Sequence, residues 1–255
     1  MPKRTNVLIS LLLFLFGIAG TLAAEPIGVA EYQGNPKSIE LNEKGAAAAQ
    51  AQNFKQAEDY FRKALVADPN NLTAVFNLSS LHLRSNDTAK AIALLTKYTK
   101  KHSKDAGLFA RLGDAYFASK KIELAIENYK AAFETNPLTP GIAAKLGTLF
   151  TLTNNLDDAE IMLLEAVKLE PKDSNLLTNL SSVFLANGKP EKAVSTAKRG
   201  LQIQATSALY LTLGTAYEIL KDYKNSVIAL QRAKDLGDTS SELQDKISDL
   251  KKNVS

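Results

Sequence analysis

The chain has 255 residues, of which 45% are hydrophobic, with 31 basic and 27 acidic side chains. This length and composition fit one globular domain or one array of repeats. The small basic excess gives no electrostatic reason to expect nucleic acid or an acidic membrane surface as a partner. The absence of cysteine excludes disulfides, thiolate metal ligands, a cysteine nucleophile and a lipid-modified cysteine.

Residues 1–24 have the pattern of an export signal. Lys3 and Arg4 form a positive start, an apolar stretch follows over 7–18, and small residues at 22–24 precede Glu25. We expect cleavage before Glu25 and therefore a periplasmic or secreted protein. The alternative is an uncleaved anchor over 7–24 that holds the protein at the inner membrane, facing the periplasm. Residues 25–37 contain two prolines and two glycines and are predicted to form a linker.

From residue 38 onward the sequence has a period of 34 residues. A fixed period of this size is typical of stacked helical or mixed supersecondary units. One column is alanine: Ala57, Ala91, Ala125, Ala159 and Ala193. Twelve positions earlier lies a small residue: Gly45, Ser79, Gly113, Gly147 and Ser181. A sixth repeat follows after one deleted residue, so we predict repeats at 38–71, 72–105, 106–139, 140–173, 174–206 and 207–240.

Each repeat is predicted to form two helices. In the third repeat Phe109, Leu112 and Tyr116 fall at i, i+3 and i+7, which places them on one helical face. Short polar or turn-forming pairs separate the two helices, and a proline ends several repeats because it cannot continue a helix. A capping helix is predicted within 241–255, with its apolar face formed by Leu243, Ile247 and Leu250.

These columns resemble the tetratricopeptide repeat family, whose signature joins Leu-Gly, an aromatic residue, Ala-x3-Phe and a closing proline. The third repeat carries Leu112-Gly113, Tyr116, Ala125, Tyr129 and Pro137, although the chain lacks the tryptophan of that signature. The resemblance implies an all-α, right-handed solenoid of six helix-turn-helix units that binds protein segments in a concave groove. Its size and six units also resemble the pilotins of type IV pilus assembly. Those proteins are lipoproteins, whereas this chain has no cysteine to carry a lipid.

The resemblance assigns a column of first-helix residues to the groove: Glu43, Asn77, Arg111, Lys145, Asn179 and Thr212. Asparagine supplies both a donor and an acceptor for a peptide backbone, while Arg111 and Lys145 suit a carboxylate. Phe76 and Phe117 are predicted to be groove-facing apolar contacts. The alternative interpretation is a column that is merely solvated.

Asn77 and Arg111 also match two of the five positions of the carboxylate clamp found in chaperone-binding members of the family. The other three positions hold Asn42, Ala46 and Gly107, which lack the required groups. A clamp is therefore not expected.

No residue pattern supports catalysis or a metal site. Ser195 and Lys198 match the S-x-x-K motif of penicillin-binding enzymes, but the S-D-N and K-T-G partners are missing, so an envelope hydrolase is a remote alternative. His82 falls in the aromatic column and is predicted to lie in the core. His102 falls among lysines at a predicted helix end. Two histidines without cysteine do not make a metal site.

The sequence thus predicts a non-enzymatic scaffold or adaptor of the bacterial cell envelope, without cofactor. Its expected partner is an extended peptide or a helix of an envelope protein. The expected role is assembly of a secretion, pilus, polysaccharide-export or cell-wall complex. A variant of this hypothesis is an assembly factor that the N-terminal helix retains at the membrane.

Overall fold

The computed structural model describes residues 34–254. The predicted export signal, and the predicted linker up to residue 33, lie outside these residues. Within 34–254 the chain forms thirteen α-helices and no strand. The all-α fold class is confirmed: six helical hairpins are followed by one terminal helix. Two compact parts can be described, which we name the N-terminal half (34–142) and the C-terminal half (143–254).

The N-terminal half contains three hairpins, in which each helix packs on the next one along the chain. Its helices are α1 Pro36–Gln50, α2 Phe54–Ala67, α3 Leu72–Arg84, α4 Thr88–Lys101, α5 Ala106–Ala118 and α6 Ile122–Thr135. Helix α1 begins at Pro36, inside the predicted linker, because the Asn35 side chain caps it by accepting the backbone N–H groups of Lys37 and Ser38.

The C-terminal half contains the other three hairpins and the terminal helix. Its helices are α7 Ile142–Leu152, α8 Leu156–Leu169, α9 Ser174–Ala186, α10 Pro190–Ile203, α11 Ser207–Ile219, α12 Tyr223–Asp235 and α13 Ser241–Lys251. The predicted apolar face of α13 is buried, and it packs against Leu230 and Ala233 of α12. This helix therefore covers the apolar side that the last hairpin would otherwise expose.

A left-handed residue joins the two helices of every hairpin. These residues, with φ between 57° and 68°, are Gln52, Asn86, Lys120, Asn154, Gly188 and Lys221. The residue after each one donates its backbone N–H to a carbonyl five positions back, for example Asn53 to Ala48 at 2.8 Å and Lys189 to Phe184 at 2.8 Å. This is the Schellman arrangement, which satisfies carbonyls that the ending helix leaves free.

The small-residue column lets a large side chain pack inside each hairpin. A Cβ atom added at Gly45 would lie 2.6 Å from the Phe61 ring, and one at Gly113 would lie 2.6 Å from the Tyr129 ring. Phe61 and Tyr129 therefore contact the first helix of their own hairpin, because the missing Cβ leaves room for a ring there.

Candidate protein-binding surface

The candidate residues lie on the first helices of four hairpins. In the N-terminal half, Phe76 and Asn77 lie on α3, and Arg111 and Phe117 lie on α5. In the C-terminal half, Lys145 lies half-buried on α7 and Asn179 on α9.

Asn77 is half-buried and already takes part in an internal hydrogen bond. Its Nδ2 donates to Oδ1 of Asn42 on α1, at 2.9 Å. The bond links the first two hairpins through side chains 35 positions apart. Part of the hydrogen-bonding capacity that the sequence analysis assigned to a partner is thus used within the protein.

Arg111 lies in the interior of the N-terminal half, with only 5% of its surface exposed. Its Nη1 lies 3.7 Å from Oδ2 of Asp114, one turn further along α5. The Tyr129 hydroxyl donates to Oδ1 of the same carboxylate at 2.6 Å. Burial, and then the negative charge of Asp114, raise the pKa of Tyr129 far above its usual value, so this hydroxyl remains a donor.

The structure therefore corrects the sequence-based interpretation of Arg111. A guanidinium in this column was expected to meet a partner's carboxylate, but it faces a carboxylate of its own chain. Its Nε is buried and has no hydrogen-bond partner among residues 34–254. The i, i+3 spacing of Arg111 and Asp114 was the signal that sequence reasoning missed, since such residues are neighbours on a helix.

Phe76 is also placed differently from the prediction. Only 9% of it is exposed, and it belongs to the core that includes Val75, Leu95 and Leu108. A Cβ atom added at Gly107 would lie 3.3 Å from the tip of the Phe76 ring. Phe76 thus packs against the next hairpin and is not an open apolar contact. Phe117, near the end of α5, is 44% exposed, and its role in binding remains a prediction.

The first helices of the C-terminal half carry a row of hydroxyl groups. Most of these hydroxyls donate to carbonyls of their own helix: Thr148 to Ala144 at 2.9 Å, Thr178 to Ser174 at 2.7 Å and Thr212 to Ala208 at 3.0 Å. Ser182 lies 3.3 Å from the Thr212 hydroxyl. Because these hydroxyl protons are used within the helices, the row presents to a partner mainly methyl groups and oxygen lone pairs.

Asn179 differs from its neighbours in this row. It is half-buried on α9, and its side-chain amide makes no hydrogen bond with any other part of residues 34–254. An amide carries two donors and an acceptor with two lone pairs. Among the predicted asparagines, Asn179 is therefore the one with its full hydrogen-bonding capacity left for a partner.

The histidines and the S-x-x-K motif have structural environments. His82 is buried in the last turn of α3, as predicted, and burial lowers its pKa. His102 ends α4 and its ring stacks on Tyr98. The exposed Ser195 hydroxyl donates to the Lys192 carbonyl at 3.0 Å, while the ammonium of Lys198 lies over the Tyr217 ring.

Residues 34–254 contain neither a cluster suited to a metal ion nor a helix suited to cross a membrane. No group of three or more His, Cys, Asp or Glu side chains is arranged to hold a metal ion there. In the same stretch, no helix combines the length and apolar character needed to cross a membrane.

Three profiles of the tetratricopeptide repeat match this chain, over residues 48–115, 110–174 and 207–236. They cover most of the hairpins described above, in both halves. The chain belongs to the tetratricopeptide repeat family, whose fold is typically a scaffold for protein–protein interaction.

Curated relatives share the repeat over part of their length. The BBSome complex member BBS4 homolog of Drosophila melanogaster is 26% identical over 183 residues, which cover 71% of this chain and 37% of that protein. RNA polymerase II-associated protein 3 of Rattus norvegicus is 26% identical over 197 residues, which cover 68% of this chain and 28% of that protein. The chain thus spans about a third of the length of these relatives.

Solved structures share the fold at low sequence identity. YrrB, a TPR protein with an unusual peptide-binding site, superposes with a TM-score of 0.69 at 17% identity, covering 74% of this chain and 97% of YrrB. PilF of Pseudomonas aeruginosa has a TM-score of 0.66 at 17% identity, covering 84% of this chain and 97% of PilF. MamA has a TM-score of 0.59 at 21% identity, covering 66% of this chain and 92% of MamA. These similarities concern the fold.

Proposed function

We propose that this protein is a non-enzymatic scaffold of the bacterial cell envelope that binds an extended segment of a partner protein on its first helices. The observation that carries the proposal is the Asn179 amide, half-buried on α9 and without an internal hydrogen bond in the described residues. A half-buried polar group of this kind gains most from a partner, because its alternative is incomplete solvation.

The surface around Asn179 favours a particular class of partner. Its neighbours Thr178 and Ser182 are small and uncharged. An extended backbone offers alternating N–H and C=O groups. An asparagine amide can accept a hydrogen bond from the N–H and donate one to the C=O at the same time. The proposed partner segment is therefore extended, with its main chain against α9 and small side chains toward the hydroxyl row.

The envelope location rests on the sequence of residues 1–24, which has the pattern of an export signal. The proposed role is assembly of an envelope complex such as a secretion, pilus, polysaccharide-export or cell-wall machine. A membrane-anchored assembly factor is the second candidate. The intact mass of the protein recovered from the producing cell separates the two: a chain that begins at Glu25 supports export, and one that retains 7–24 supports the anchor.

The geometry of α10 favours the scaffold over the hydrolase alternative. The Ser195 hydroxyl donates to its own helix and the Lys198 ammonium lies over the Tyr217 ring, so these two groups are not arranged as a nucleophile and its base. Incubation with a labelled β-lactam tests this directly, and we expect no covalent label on Ser195. Stable acylation at that position would contradict the scaffold proposal.

The binding surface is tested by comparing Asn179→Ala with Gln202→Ala in crosslinked capture from the producing cell's envelope. Gln202 is an exposed amide on the second helix α10, so its removal is a matched control. We expect Asn179→Ala to lower capture of the partner about 5- to 10-fold, the value of one hydrogen bond, with the melting temperature unchanged. Equal capture by both variants would show that the amide faces only solvent.

A further inference from the structure

Helix α4 ends in an unusually basic segment. Between Asp87 and Asp105 the chain carries five lysines and a histidine and no acidic residue. Lys90 pairs with Asp87 at 2.6 Å. The other four, all exposed and without a carboxylate partner in residues 34–254, are Lys97, Lys100, Lys101 and Lys104.

The repeat fold does not require this cluster. Cations near a helix C-terminus are stabilising, but the effect is confined to the last turn. The equivalent positions of the first hairpin hold Lys63, Val66, Ala67 and Asn70. Those of the third hairpin hold Ala131, Glu134, Thr135 and Leu138. Since both neighbouring hairpins fold with one lysine or none there, the four lysines call for another explanation.

Two apolar side chains flank the lysines along the same edge of the N-terminal half. Val66 is 84% exposed and Leu138 is 69% exposed, the highest values among the large apolar residues of 34–254. Val66 has the same repeat position in the first hairpin as Lys100 has in the second. Leu138 has the same repeat position in the third hairpin as Lys104 has in the second. Lys101 Nζ donates a hydrogen bond of 2.7 Å to Asn70 Oδ1, which joins the end of the second hairpin to the end of the first.

Three acids lie near the four lysines and offset their charge in part. An Asp68 oxygen accepts the N–H of Asn70 at 2.8 Å, and an Asp105 oxygen accepts the N–H of Leu108 at 2.9 Å. Glu134 is exposed at the end of α6. The four lysines thus outnumber the three acids, and no acid forms an ion pair with any of the four within residues 34–254.

We propose that this edge, defined by the four lysines with Val66 and Leu138, docks on an anionic lipid surface. Lysine is a compact charge that interacts with many headgroups without a fixed geometry, whereas the bidentate recognition of carboxylates on a protein is typical of arginine. Aliphatic side chains that protrude beside lysines suit insertion at the headgroup boundary. The proposal is independent of the partner-binding role of α9.

The test uses the full chain, whose lack of cysteine makes one introduced cysteine a unique labelling site. An environment-sensitive fluorophore is placed at Val66→Cys, at Leu138→Cys or, as a control, at Ala118→Cys near the hairpin turn at the opposite edge. With vesicles containing about 30% phosphatidylglycerol in phosphatidylcholine, we expect a blue shift and quenching by brominated lipid at 66 and 138 but not at 118. Because the readout is specific to position, insertion of residues 7–18 does not mimic it.

The charge dependence is tested in the same assay. Polybasic attraction is about fivefold in affinity per lysine, so Lys100→Gln, Lys101→Gln and Lys104→Gln together should lower apparent vesicle affinity, measured at position 66, by ~100-fold. The matched control removes three exposed lysines of the opposite edge, Lys55, Lys120 and Lys121, and should leave the signal intact. High salt or pure phosphatidylcholine should abolish it.

Two results would overturn the proposal. One is that, on anionic vesicles, the labels at 66 and 138 show no more blue shift or quenching than the label at 118. The other is a shift caused by an acidic peptide such as hexaglutamate and not by vesicles, which would assign the edge to an acidic protein. Circular dichroism of each variant verifies the fold, and the exposure of all substituted side chains makes unfolding unexpected.

Discussion

The two halves of the chain use the same repeat columns for different chemistry. In the N-terminal half the polar groups of the first helices bind each other: Asn77 with Asn42, and Arg111 with Asp114. In the C-terminal half the hydroxyls bind their own helices and Asn179 stays unengaged in the described residues. A polar column in a repeat array is therefore not one binding surface, since burial decides residue by residue which groups remain for a partner.

The largest expected effect comes from breaking the charge cluster of the N-terminal half. Asp114→Ala leaves the Arg111 guanidinium buried without its counter-charge and removes the acceptor of the Tyr129 hydroxyl. We expect the free energy of unfolding in urea to fall by about 3–5 kcal/mol. The equivalent residue of the fourth hairpin is Thr148, whose hydroxyl binds its own helix. Thr148→Ala should cost less than ~1 kcal/mol, and equal losses would contradict the contrast between the halves.

The small-residue column should respond to substitution in the same way in both halves. A Cβ atom at Gly113 would lie 2.6 Å from the Tyr129 ring, and one at Gly147 would lie 2.6 Å from Leu163. Gly113→Ala and Gly147→Ala should each destabilise by ~1–3 kcal/mol, the range for overpacking. Ser181→Ala is the control, because that position already carries a Cβ. Unchanged melting temperatures for both glycine variants would show that the Tyr129 and Leu163 side chains move aside freely.

The hairpin turns provide a smaller, stabilising effect. Lys120 in the N-terminal half and Lys221 in the C-terminal half adopt φ near 60°, where a side chain crowds the backbone, whereas the fifth hairpin has Gly188 in this position. Lys120→Gly and Lys221→Gly should each raise the free energy of unfolding by roughly 1 kcal/mol. The reverse change, Gly188→Ala, should lower it by a similar amount. Thermal melts of the three variants show whether each substitution raises or lowers stability. A loss of stability in either lysine variant would refute the expectation.

The smallest effect is a pH dependence confined to the second hairpin. Burial lowers the pKa of His82 below its usual value, although Glu58 acts in the opposite direction. Between the folded and unfolded pKa values the unfolded chain binds more protons, so this histidine makes stability fall as the pH falls below about 6.5. His82→Phe, which matches Phe150 and Phe184 of later hairpins, should lose less stability than the native chain between pH 7.5 and 5.5. Parallel urea titrations at each pH give the comparison.

Much of the fold was predictable because it depends on local chemistry that repeats. The 34-residue period, the helical spacing of Phe109, Leu112 and Tyr116, and the turn pairs identify the hairpins, and the left-handed residues fall in those predicted turns. The apolar spacing of Leu243, Ile247 and Leu250 likewise predicted the buried face of α13. Each of these features needs only a few neighbouring residues to be recognised.

The candidate surface was predictable only in outline. The column that contains Asn77, Arg111 and Asn179 was identified from the family resemblance, but its members differ in burial and partners. Phe76 was expected on the surface and lies in the core, since the next hairpin brings Gly107 against its ring. Arg111 is neutralised by Asp114, which the column pattern did not include.

The six helical hairpins and the terminal helix between Pro36 and Lys251 follow from the amino-acid sequence alone, because periodic apolar residues, small residues and turn residues act through local contacts. Which polar groups are occupied follows instead from the packing of one helix against another. Whether an amide or a guanidinium is available depends on the side chains that neighbouring helices bring within about 3 Å of it. Residues far apart in the chain set that distance, as Asn42 does for Asn77 and Tyr129 does for Asp114.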